Sequence, residues 1–170
     1  MVSEGSSNSY EIKDRDDQEI FPHVAMGGHY TFKNGTNIIW EYIYNGDGYN
    51  QKEWDEFEGF VSYSGDQFKK GLFLDSMRSN LIQANQLMVF RQMRRNYIFT
   101  RISNSSIFNK IDGTLVLYLN LDDSSFLLNP SLDYKITPNT SISLSSNIFV
   151  GGETKEFGMM HWGQDVTLIY

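Results

Sequence analysis

The stretch "TLVLYLNLDDSSFLLNPSLDYKI", residues 114–136, sets the period of the chain. Leu115, Leu117, Leu119 and Leu121 lie on one side of an alternation whose other side is Thr114, Val116, Tyr118 and Asn120. After the polar turn 122–125 the pattern resumes, with Phe126, Leu128, Pro130, Leu132, Tyr134 and Ile136 set against Leu127, Asn129, Ser131, Asp133 and Lys135. Successive side chains take opposite faces in a strand, so a sustained period of two predicts two long antiparallel strands and a tight turn.

Working outward, the turn "TPNT" (137–140) leads into "SISLSSNIFV" (141–150). That segment sets Ile142, Leu144, Ile148 and Val150 against Ser141, Ser143, Ser145 and Asn147. A loop at 151–164 then precedes a terminal strand, "DVTLIY". Upstream, "FPHVAMGGHYTF" and "NIIWEYIY" flank "KNGT" (33–36), whose Asn-Gly pair is the strongest short hairpin signal. "RNYIFTRIS" is a further strand, turning through 104–112. These segments make seven strands in consecutive antiparallel hairpins. Residues 45–94 interrupt them as a long connection, helical over "DSMRSNLIQANQLMVFRQMRR", where Asp75 caps and Met77, Leu81, Ala84 and Met88 recur at helical spacing. An eighth strand would have to come from "EFEGFVSYSG" (56–65) or from the first twenty residues.

Composition limits what such a sheet can do. A net charge of -7 argues against nucleic-acid binding, which calls for a basic face. With no cysteine, disulfides and thiolate chemistry are excluded. No apolar run approaches the roughly 18 residues of a membrane helix. Barrel strands alternate, however, and escape that scan. The polar segment 1–20 has no apolar stretch of the kind a secretory signal peptide carries.

The sheet then faces one of two solvents. In a soluble β-sandwich or a lipocalin-like ligand- or carbohydrate-binding domain, the apolar face is the core. In an outer-membrane barrel that face meets lipid and the polar face lines a lumen. Strands of about ten residues, a Ser/Asn-rich opposite face and aromatics at strand ends favour the second. So do the connections: 33–36, 104–112 and 137–140 are at one end, the long 45–94 and 151–164 at the other, with 122–125 a short exception.

The terminal "VTLIY" resembles the last strand of bacterial outer-membrane β-barrels, with Tyr170 as the final aromatic and Leu168 and Val166 two and four positions earlier. That resemblance implies an antiparallel up-and-down transmembrane β-barrel, porin-like, or the C-terminal part of one. It also implies an outer-membrane location, and barrel-insertion machinery as the partner that reads Val166, Leu168 and Tyr170. The barrel domain would span 21–170, with 45–94 as a long, partly helical extracellular loop or insert.

The expected role is passive passage of small solutes, or a purely structural barrel, with no enzymatic activity, cofactor or metal. Glu41, Arg101, Asn129, Asp133, Lys135 and Asn147 would line the lumen. Arg101 faces inward because a guanidinium facing lipid costs about 2–4 kcal/mol at mid-bilayer; Tyr97 and Phe99 go with it. Arg91, Arg94 and Arg95 would form a constriction if their segment folds into the mouth; otherwise they are a basic helix end. His23 and His29, six residues apart on one strand, stand too far apart to share a metal, and His161 is alone. Asp47, Asp122 and Asp123 fit turn chemistry better than calcium binding.

Overall fold

A computed structural model describes residues 2–4, 10–12, 20–88, 92–160 and 166–169. The chain forms two compact units, 1–22 with 45–95 and 23–44 with 96–170.

The first unit contains a short antiparallel pair, β1 (Val2–Glu4) and β2 (Tyr10–Ile12), and two packed helices, α1 (Gln51–Lys69) and α2 (Leu74–Met88). Helix α1 occupies the segment 56–65 that was a candidate eighth strand, and this corrects the sequence reading. Trp54, Phe57, Phe60 and Ser64 are its buried residues, at helical spacings of three and four that put them on one face. Its start is a capping box: the Asn50 side chain accepts from the Glu53 amide at 3.0 Å, and the Glu53 carboxylate accepts from the Asn50 amide at 2.8 Å. Met77 and Ala84 are the buried residues of α2. Trp54, Phe57, Phe60, Met77 and Ala84 thus form the interior of this unit, while Phe68, Leu72, Phe73, Leu74 and Ile82 stay exposed.

The end of α1 is equally well defined. Gly71 at φ 74° takes the left-handed position, its amide donating to Phe68 O at 3.0 Å, while the Leu72 amide donates to Gln67 O at 3.0 Å. At its base, segment 45–49 is zipped to 92–95 by Asn45 N to Arg95 O, Tyr49 N to Met93 O, and the Asn45 side chain to Gln92 O and Arg94 O. A Cβ on Gly48 would collide with the Arg94 carbonyl, so the zip needs glycine there.

The second unit is an antiparallel sheet in up-and-down order. Its strands are β3 (His23–Thr31), β4 (Thr36–Asn45), β5 (Asn96–Ile107), β6 (Ile111–Asn120), β7 (Phe126–Thr137), β8 (Thr140–Ser146), β9 (Ile148–Val150) and β10 (Val166–Ile169), with a single-turn helix α3 (Glu156–Met159) before the last. The order runs β10-β8-β7-β6-β5-β4-β3, and β9 continues the line of β8 along β7. Seven strand positions and the hairpin connections agree with the sequence reading. The order is not closed on itself: among the described residues, no pairing joins β3 to β10.

Two details differ from expectation. The turn assigned to 104–112 is only 108–110, because β5 runs on to Ile107 through a register shift after Ser105. Phe108 and Asn109, at φ 51° and 63°, make that tight reversal. The single strand at 141–150 breaks at Asn147, yet Leu128↔Ile148 and Ser131↔Ser145 keep one register across the break. In that register Asn129 faces the break, and Pro130 beside it, opposite Ser146, has no N–H to give. The Asn129 side-chain amide donates instead, to Ser146 O at 3.0 Å and Asn147 Oδ1 at 2.7 Å.

The register also sorts the two faces. Ile102↔Leu115, Leu117↔Leu128 and Leu132↔Leu144 extend one apolar face from strand to strand, with Trp40 and Ile38 on it in β4. Gly28 lies against the Trp40 ring, which puts Val24, Met26 and Tyr30 on the same face. This apolar face is exposed: Met26 66%, Trp40 54%, Leu132 50% and Leu144 46%.

Candidate functional site: the polar face of the sheet

All six residues expected to line a lumen share one face. Arg101 pairs with Ile39 and Val116, Glu41 with Phe99, Asn129 with Val116, Asp133 with Asp112 and Ser143, and Lys135 with Ser141. Asn147 follows in the same register and meets Asn129 directly. Arg101 and Lys135 are exposed, the other four half-buried. Lys135 Nζ reaches Asp112 Oδ2 at 2.7 Å, and Ser143 donates its hydroxyl to Asp133. An aromatic patch adjoins them on β5 and β6: Phe99 and Tyr118 rings at 5.1 Å, Tyr97 and Tyr118 at 6.5 Å.

At the end of the sheet carrying the long connections, this face is covered by the segment around α3. Glu156 is 1% exposed. The Tyr97 hydroxyl lies 2.8 and 2.7 Å from its two carboxylate oxygens, and Asn120 Nδ2 donates to Oε2 at 2.7 Å. Tyr97 and Asn120 are a register pair on β5 and β6, so adjacent strands present both donors. The loop backbone is held as well: Glu156 N donates to Asp123 Oδ2 at 2.8 Å and Phe157 N to Ser125 Oγ at 3.3 Å. A Cβ on Gly158 would collide with the Gly152 backbone, so this fold-over requires its glycines.

Asp122 and Asp123 are engaged in the turn. Asp122 accepts from the Asn96 amide and side chain at 2.9 and 2.7 Å, and Asp123 from Ser125 N and Oγ at 2.8 and 2.6 Å. Asn96 in turn accepts from the Tyr42 hydroxyl at 2.6 Å. Thus β4, β5, β6, the 121–125 turn and α3 are tied at one end by a continuous hydrogen-bonded network.

The constriction arginines are placed differently. Arg94 is 2% exposed, donates to Gln51 Oε1 at 2.7 Å and lies over the Trp54 ring at 5.3 Å, a cation–π contact that anchors the start of α1. Arg95 donates to Gly48 O at 2.9 Å and sits 3.7 Å from Glu53. Both serve the helical unit, where Arg94 is packed inside rather than presented to solvent. Arg91, His161 and Tyr170 lie outside the described residues. Val166 and Leu168 are in β10, in register with Ser146 and Leu144. His23 and His29 are exposed on β3.

The sequence reading missed Glu156, Tyr97 and Asn120 as a unit. A Glu inside "GGETKEFG" reads as solvated loop, and its partners are 36 and 59 residues away. The glycine spacing was the one available hint of a close approach. Comparisons with protein-family models, curated proteins and solved structures gave no match.

Proposed function

We propose that the sheet belongs to a porin-like β-barrel of a bacterial outer membrane. In this reading its apolar face meets lipid, and its polar face lines a path for passive passage of small solutes. One observation carries the proposal: among the described residues, no Leu, Ile or Val is buried, whereas Asn120, Ser125 and Glu156 are. Apolar burial is the main drive for folding in water, so a soluble sheet would hide Leu115, Leu132 and Leu144. The helical unit of the same chain buries Trp54, Phe57, Phe60, Met77 and Ala84, whereas the buried apolar residues of the sheet unit are Tyr97 and Phe157, at the α3 end of the polar face.

Dimensions support the reading. Phe126 to Ile136 is ten residue steps along β7. That is about 33 Å at about 3.3 Å per step, or about 23 Å along the membrane normal at a tilt of about 45°. The lipid-facing band of outer-membrane barrels is about 25 Å tall. Tyr30, Phe32, Phe108 and Tyr134, all exposed, gather at the short-turn end, where an interfacial aromatic girdle would stand. No described helix is long and apolar enough to cross a membrane, which says nothing of strands.

Closure follows a parity rule. Alternating directions through seven strand positions leave β3 and β10 running the same way. An antiparallel barrel therefore takes an odd number of further strands between them; one more would give the smallest common size, eight.

The competing reading, a soluble β-sandwich or lipocalin-like domain, needs another sheet or ligand on the apolar face. Expression without detergent separates the two. The barrel reading expects aggregation in buffer, and β-rich, heat-resistant folding in micelles. A soluble monomer that melts cooperatively in plain buffer would refute it.

A further inference from the structure

The tip of the helical hairpin breaks its own local rules. Phe73 occupies the cap position of α2, its carbonyl accepting from Met77 N at 2.9 Å, with φ at 50°. Small polar residues or glycine suit such a position, and an aromatic side chain at positive φ is strained. Phe73 is nonetheless 70% exposed, and Phe68, Leu72 and Leu74 beside it are 41%, 47% and 49% exposed. Lys69 and Lys70, both exposed, adjoin the cluster between the exposed Asp66 and Asp75, in a chain of net charge -7.

We infer that this tip is a membrane-contact wedge: Phe68, Leu72, Phe73 and Leu74 enter the headgroup–acyl boundary, and Lys69 and Lys70 meet anionic headgroup phosphates. The shape selects a bilayer as the occupant. Four apolar side chains at a turn make a convex point, which a deformable lipid surface accommodates without a matching pocket. Long lysine side chains can lay their methylenes along the apolar surface while the ammonium stays at the phosphates. Each lysine near an anionic surface strengthens the contact about fivefold, and salt screens it. The inference stands apart from the barrel reading, because it concerns the helical unit alone.

The chain has no cysteine, so single labels are unambiguous. An environment-sensitive fluorophore at Phe73→Cys would be measured in phosphatidylcholine–phosphatidylglycerol vesicles carrying, in separate samples, a shallow or a deep acyl-chain nitroxide-lipid quencher, the shallow one for position 73 and the deep one for position 117. Ser62→Cys on the exposed mid-part of α1 and Leu117→Cys on the sheet serve as reference positions. Position 73 should brighten and be quenched, and position 62 should not. Leu72→Asp in the same background should lower the bound-to-free ratio of the tip roughly tenfold or more. Lys69→Gln with Lys70→Gln should lower it roughly 25-fold, an effect lost in pure phosphatidylcholine. Quenching at 117 with none at 73 overturns the wedge and leaves the barrel standing. Quenching at 73 with none at 117 does the reverse. A tip built for a protein partner stays dark in these protein-free vesicles, and that outcome also overturns the wedge.

Discussion

Leu117→Arg is expected to destabilise the folded sheet in phospholipid vesicles by about 2–4 kcal/mol, the cost of a guanidinium at the bilayer midplane. Leu117 lies mid-strand in β6, in register with Thr100 on one side and Leu128 on the other, on the face carrying Trp40 and Ile102. Thr114→Arg, one strand-face over, meets water in the same account and should cost less than about 1 kcal/mol. The pair is informative because both substitutions add the same group to the same strand. Leu117→Phe sharpens the test. Lipid chains yield to a larger side chain, so the expected change is within about 1 kcal/mol of neutral, whereas overpacking a protein interior costs about 1–3 kcal/mol. Equilibrium unfolding in urea from vesicles reads all three. Equal losses at positions 114 and 117 would contradict the facing assignment.

Glu156→Ala should release the 151–160 segment from the sheet. A buried donor left without its acceptor costs about 1–3 kcal/mol, and truncation leaves both Asn120 and Tyr97 without this acceptor in a buried place. The expected loss in the closed state of the loop is about 3–5 kcal/mol. Glu156→Gln keeps one acceptor oxygen and should lose roughly half as much. Because the loop can open without the sheet unfolding, trypsin cleavage after Lys155 is the direct readout. It should be slow in the parent chain, intermediate in the Gln variant and fast in the Ala variant, with strand content unchanged. Equal cleavage in all three would mean that the carboxylate does not hold the loop.

Strands were the legible part of this chain because a period of two survives in any environment. The alternation at 114–136 gave both strands and their faces, and the placement of Arg101 with Tyr97 and Phe99 agrees with the register. Helix α1 was harder. "NQKEWDEFEGFVSYSG" is rich in aromatics and short-range alternation, which resembles a strand, yet Asn50 and Glu53 form a capping pair and Trp54, Phe57 and Phe60 step by three. That capping signal was present in the sequence and outweighs β-propensity here. The break at Asn147 was half legible, since Pro130 was visible but its cross-strand partner was not. The Glu156 network was beyond reach, because it joins a loop to two strands whose register only the folded sheet sets. For the same reason Arg94 read as a solvated helix end, while in the fold it packs on Trp54.

The most direct test of the central claim is a cysteine scan of β6 from Thr114 to Leu119 in vesicles. Each position would be probed with a lipid-borne quencher and with a water-soluble one. The account expects a period of two, with 115, 117 and 119 reached from lipid and 114, 116 and 118 from water. No alternation, or protection of 115, 117 and 119 from both quenchers, would contradict it and place that face inside a protein core.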